Sequence, residues 1–209
     1  MGRTSDARER IVRTAARLFL TRSYQAVGID ELCGAADVHK GSFYYYFPSK
    51  AHLARVVVDH HAAALWARLD SAGTETPLQQ LRAVTDAVGA MHTDFESRFG
   101  RVVGCAFGNL AAEVATTDDS LREHVAAVLA EWERRIAIVC HRVAEEGLFR
   151  PGVDPERFAH TLMAQFQGLI LLAKVSRSPA ADISLALHEV IAANLREGVL
   201  ARGGAARSR

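Results

Sequence analysis

Cysteine is scarce in this chain of 209 residues: Cys33, Cys105 and Cys140 are an odd number with no CxxC pair. A disulfide scaffold is excluded, because a chain this long can build a core without covalent staples, and a reducing compartment is expected. Net charge is scarce too, and a formal +1 excludes wholesale polyanion binding. Long apolar runs are missing: the greasiest stretch, 169–175, is far short of the roughly 20 residues of a membrane-spanning helix. The first ten residues are charged where a secretory signal would be apolar. The expected protein is soluble and cytoplasmic, with no membrane partner. Enzyme signatures are absent as well: there is no GxSxG, no HExxH, no phosphate-cradling glycine loop and no recognisable carboxylate pair. His60 and His61 are adjacent, hence about 100° apart on a helix, whereas a metal-binding face needs i,i+4 spacing; Cys140 beside His141 lacks further ligands. No catalytic residue, cofactor or metal is expected.

What is present is a globular composition, with 49% hydrophobic and 23% charged residues, and an uneven charge. Residues 1–58 carry nine Lys or Arg against five acids, a net +4, which leaves −3 for the remainder. The five prolines act as punctuation. Thr76-Pro77, Asp154-Pro155 and Ser178-Pro179 each read as an N-cap followed by proline at the first helical position. Between them the apolar spacing is helical: Ile11, Ala15, Leu18 and Phe19 form one stripe, and Leu121, Val125, Trp132, Ile136 and Val143 lie on another. No alternating run is long enough for a strand. The fold class is all-α, with about nine helices starting near Asp6, Gly28, His39, Ser49, Thr76, Val102, Thr117, Asp154 and Ser178.

The densest stretch is 29–50. Gly28 can cap a short helix carrying Leu32, Ala35 and Ala36, a turn follows at Asp37-Val38, and a second short helix begins near His39, which is helix-turn-helix spacing. Phe43 and Phe47, at i,i+4, should face the core. His39, Lys40, Ser42, Tyr44, Tyr45 and Tyr46 then surround the accessible side. Hydroxyls, a lysine and helix-start N–H groups are what bind phosphates and base edges. Aromatic core packing explains Phe43 and Phe47 but leaves Tyr45 and Tyr46 without a reason.

The run Ala36-Asp37-Val38-His39-Lys40-Gly41-Ser42-Phe43-Tyr44-Tyr45-Tyr46-Phe47-Pro48-Ser49-Lys50 resembles the DNA-binding motif of the TetR family of transcriptional regulators, over roughly the first 55 residues. The resemblance implies phosphate contacts from Tyr44, Tyr46 and Lys50, and groove contacts from His39, Lys40, Gly41, Ser42 and Tyr45. Asp37 stands where the family has a turn glycine, and Asp tolerates the left-handed conformation. Val27-Gly28 stand where a Thr-Ser pair usually caps, so one backbone contact is lost.

The resemblance also implies a domain plan: a helix-turn-helix domain at 1–50 and a dimerisation and signal-sensing domain at 51–201. By composition, small, Gly-rich and basic, residues 202–209 read as a disordered tail. Gly104-Cys105 with 109–114, and 172–178, resemble an electrophile-responsive branch of the family, which marks Cys105 and Lys174 as signal-sensing. A competing reading is an apolar ligand pocket among Phe95, Phe99, Phe107, Trp132, Met163, Phe166 and Gln167. Cys33 is expected to pack behind the recognition helix and Cys140 to lie toward the polar side of its helix. The segment 158–175 is apolar almost all round and must be covered on more than one side. Either it and the next helix are buried inside one chain, or Phe166, Leu169, Leu172, Ile183, Leu187, Val190 and Ile191 complete a four-helix interface with a second copy. The expected function is a homodimeric regulator, a repressor released from a palindromic double-stranded DNA operator by a small-molecule or thiol-reactive inducer. The alternative is a helical protein-interaction module without specific DNA binding.

Overall fold

A computed structural model describes residues 3–70 and 76–199, with side chains from Asp6 onward. Among the described residues nine helices follow one another: α1 (Arg3–Thr21), α2 (Ile29–Ala36), α3 (Lys40–Tyr46), α4 (Lys50–Asp70), α5 (Pro77–Phe99), α6 (Ala106–Val114), α7 (Asp119–Glu145), α8 (Pro155–Ser176) and α9 (Ala181–Asn194). Strand pairing among them is limited to one isolated bridge between Phe149 and Leu195. The tail at 202–209 lies outside the described residues.

The helix starts follow local chemistry. Thr76 caps α5 in a reciprocal box with Gln79, Asp154 caps α8 by accepting from the Arg157 N–H, and proline occupies the first turn of both. The expected cap at Ser178 is corrected: Ala180 is the N-cap of α9 and contributes no side-chain bond. The Ser178 hydroxyl instead pairs with that of Ser176 at 2.7 Å. The start expected near Val102 falls later, with Cys105 as N-cap of α6.

The described residues divide into two compact units, one within 1–67 and 103–130 and the other within 68–102 and 131–209. In the first, α1 packs against α2, α3 and α6, burying Ile11, Ala15, Leu18, Phe19, Leu32, Phe43 and Phe47. In the second, α5 and α8 pack against α9, and Trp132 stacks on Phe166 with ring centroids 5.5 Å apart. Cys140 is corrected from the polar side of its helix to the core, where it is fully buried. It lies on the same stripe as Trp132, Ile136 and Val143, at spacings of four, four and three. By length and composition alone α8 is apolar enough to cross a membrane, but Phe158, Leu162, Met163, Phe166, Ile170 and others are buried within the unit, which a core helix also requires.

Candidate nucleic-acid interface

The α2–α3 turn turns on one residue. Asp37 ends α2 in the left-handed region, φ 52° and ψ 54°, and the Val38 N–H closes back on the Cys33 carbonyl at 3.0 Å. A left-handed non-glycine residue costs about 1–2 kcal/mol. Arg10 of α1 helps to offset it: Nε donates to the Ala36 carbonyl and Nη2 to the Asp37 carbonyl, each at 3.2 Å, while Nη1 pairs with Asp6 at 2.5 Å. Sequence reading missed Arg10, because its partners lie 26 and 27 positions away.

His39 is the extended N-cap of α3. Phe43 and Phe47 are fully buried as expected, with ring centroids 5.9 Å apart, and Arg8 covers the Phe47 ring. This anchoring leaves Tyr44 48% and Tyr45 77% exposed, the Tyr45 and Tyr46 rings meeting edge to face at 4.8 Å. His39, Lys40 and Gly41 are exposed on the same short helix and its cap, and Ser42 is half-buried. Gly41 is instructive. An interior glycine costs a helix about 1 kcal/mol relative to alanine, yet a Cβ there would meet nothing within 4 Å. Crowding inside the protein is therefore not what a glycine answers at this position.

Lys50 opens α4 with Nζ 3.4 Å from the Gln25 carbonyl and 4.5 Å from the Tyr24 ring centre; burial pushes its pKa down. The loop supplying those partners is clamped by Glu113 of α6, whose carboxylate accepts from the Ser23 hydroxyl and the Tyr24 and Gln25 N–H groups at 2.8 to 3.1 Å. Sequence reading recorded Glu113 only as part of a motif. Its partners lie 88 to 90 positions earlier. Arg22 pairs with Glu31, further tying that loop to α2.

The sensing candidates fall in separate units. Cys105 is buried at the N-cap of α6, its carbonyl accepting from Asn109 N–H at 2.8 Å. Gly104 before it has φ +95°, and a Cβ there would lie 2.5 Å from Asn109 Oδ1, so only glycine fits. The Asn109 side chain donates to the Val103 carbonyl at 3.0 Å. Beside α6 a cavity of about 10 Å³, room for one water, is lined by residues including Tyr24, His61, Phe107 and Glu113. Of the expected pocket residues it takes only Phe107. Lys174 lies exposed in the last turn of α8. Cys33 is buried behind α3, and burial and Asp30 push its thiol pKa up; burial pushes that of Cys140 up to about 12. Among the described residues no group of three or more metal-binding side chains is placed to hold an ion.

The expected dimer residues divide. Phe166, Ile183, Leu187 and Ile191 are corrected: all four are buried inside the chain's own second unit. Leu169 and Val190 are half-buried. Leu172 is 65% exposed, and Leu171, Val175 and Leu185 join it outside. Gly168, Leu171, Leu172 and Val175 recur every three or four residues, so α8 shows one apolar stripe outward and another inward.

Residues 11–57 match the family described as bacterial regulatory proteins, tetR family, and residues 77–188 match the tetracyclin repressor-like C-terminal domain. The chain belongs to the TetR family. Among its relatives, the transcriptional regulator AcuR of Cereibacter sphaeroides is 32% identical over 84% of this chain and 80% of its own. The HTH-type transcriptional repressor NemR of Escherichia coli is 29% identical over 83% and 86%. A crystal structure of a TetR regulatory protein from Rhodobacter sphaeroides superposes with a TM-score of 0.79 at 29% identity, covering 91% of this chain and 99% of that one. This TetR-family chain is therefore a DNA-binding transcriptional regulator and not an enzyme, which decides against the interaction-module reading.

Proposed function

We propose that this TetR-family regulator is a homodimeric repressor, released from a near-palindromic operator by a small-molecule or thiol-reactive inducer, and that it works in the cytoplasm. The observation that carries the DNA-contact part is the outward face of α3, where Tyr44 and Tyr45 stand exposed above the buried Phe43 and Phe47. Tyr44, Tyr46 and Lys50 hold phosphates; His39, Lys40, Gly41, Ser42 and Tyr45 face the groove. Functionally the DNA-binding part is 1–50 and the rest serves dimerisation and sensing. Repression accords with the naming of NemR and of DhaR from Mycobacterium sp. as repressors.

Dimerisation is supported by the outward apolar residues Leu171, Leu172, Val175 and Leu185. Burying such residues against a second copy removes apolar area from water, worth about 25 cal/mol per Å². Cys105 is the proposed sensor because it is the N-cap residue of α6 and the residue that the resemblance marks. Lys174 belongs to the other unit, and its part in sensing rests on the resemblance alone. A mobility shift on DNA upstream of the protein's own gene tests the reading. A specific complex that dissociates on treatment with an electrophile or metabolite supports it, and affinity equal to that for unrelated duplex refutes it.

A further inference from the structure

Lys40 stands at the start of α3, but its side chain turns back across the helix-turn-helix. Its Nζ lies 2.7 Å from Asp30 Oδ1 in the first turn of α2. The other acid of that turn, Glu31, is taken by Arg22. The Asp30 and Lys40 side chains are 81% and 55% exposed, and an exposed pair of this kind adds little to the stability of a fold. The pair does change what Lys40 can reach. A free lysine is a point charge on a flexible stem that settles on any nearby phosphate. With one donor on Asp30, the ammonium is biased toward the α2 side of the turn and has two N–H groups left to offer.

Resting on the reading that α3 faces DNA, we propose that Asp30 is a positioning residue for operator recognition, holding Lys40 so that its ammonium meets a base-edge acceptor in the groove instead of a phosphate. The acceptor class is guanine O6 or N7, the usual partners of lysine in the major groove. Non-specific affinity is built from phosphate contacts, so withholding one lysine from that pool lowers it. On the operator the base contact replaces what was withheld. Asp30 thereby widens the gap between operator and other DNA.

Asp30→Asn removes the charge while keeping the size. Titrations of operator and scrambled duplex over a salt series should show the scrambled duplex bound about three- to tenfold more tightly at low salt, with a slope steeper by about one unit. The operator-to-scrambled ratio should narrow about two- to fivefold, and base preference should relax at one symmetric pair of positions. Asp30→Glu, which keeps the charge, should restore the salt slope. In a Lys40→Gln background Asp30→Asn should leave base preference unchanged, because it acts through Lys40. If Asp30→Asn shifts both affinities by one factor and leaves every base preference in place, the proposal fails while docking of α3 stands. If Lys40→Gln alone alters neither operator affinity nor slope, Lys40 is off the DNA, and the proposal falls with that part of the docking reading.

Discussion

Two exposed surfaces of this chain differ in kind. On α3 the outward residues are aromatic and polar, Tyr44 and Tyr45 beside Lys40, and they stand on a helix of seven residues. On α8 and α9 the outward residues are Leu171, Leu172, Val175 and Leu185, on helices of 22 and 14 residues. A seven-residue helix has no stability of its own, so α3 is held by Phe43 and Phe47 below and by the Arg10-stapled turn before it. The long α8 needs no such stapling and has apolar surface left over after its own core is filled. The first surface suits a charged, hydrogen-bonding partner; the second suits another apolar face.

The sharpest way to break that comparison is to place charge on inward and outward positions of the second surface. Leu187→Glu buries an unpaired carboxylate in the core, costs several kcal/mol and should unfold the chain. Leu172→Glu should leave a folded monomer, seen by light scattering with an unchanged helical spectrum. A Leu172→Glu protein that stays dimeric would remove α8 from the interface.

A second contrast is between thiols. Burial pushes the thiol pKa of Cys140 up to about 12 and, with Asp30, that of Cys33 up as well; if Cys105, buried too but standing as the N-cap residue of α6, is the sensor, it should be labelled before both under limiting electrophile, as read by mass spectrometry. Cys105→Ser should bind DNA and resist electrophile-triggered release. Release of Cys105→Ser as readily as the parent would replace the thiol mechanism with a non-covalent ligand.

The third contrast concerns buried polar groups. Among the described residues no buried side-chain polar atom of α3 lacks a hydrogen-bond partner, whereas His92 of α5 is fully buried with neither ring nitrogen hydrogen-bonded. Burial pushes its pKa down to about 4, below the ordinary value of about 6.5. The unfolded chain therefore takes up this proton first as pH falls. The stability contribution is complete above about pH 6.5 and is lost toward pH 4, by on the order of 2 kcal/mol between about pH 7.5 and 5. His92→Leu should flatten that dependence in urea titrations; an equal slope in the variant would assign it elsewhere.

The smallest expected effect has two opposite signs. Gly41→Ala should raise the stability of the protein by about 0.5–1 kcal/mol and still weaken operator binding, because the added methyl faces outward. Higher melting temperature with undiminished affinity would show that nothing approaches α3 at that point.

How much of this was legible in the sequence follows the range of the contacts. Caps at Thr76 and Asp154, the left-handed Asp37 and the buried Phe43 and Phe47 are local, set by residues within four positions. Arg10 and Glu113 escaped because their partners are distant in sequence. Inward and outward positions of α8 and α9 were not separable for another reason: when a helix is apolar nearly all round, periodicity does not say which side turns in. Burial inside the chain therefore stayed one of two alternatives for Phe166 and Leu187, and the exposed Leu171 was not singled out. The expected cap at Ser178 failed because one further residue, Ala180, separates Pro179 from the helix.

Footprinting the purified protein on the DNA upstream of its own gene tests the central claim, that α3 docks as one of a symmetric pair, most directly. The account predicts a protected site with two-fold symmetry, its half-sites about one helical turn or a multiple apart, occupied by two-fold related chains. Protection of a single asymmetric half-site by a monomer at full affinity, or no specific protection at all, would contradict it.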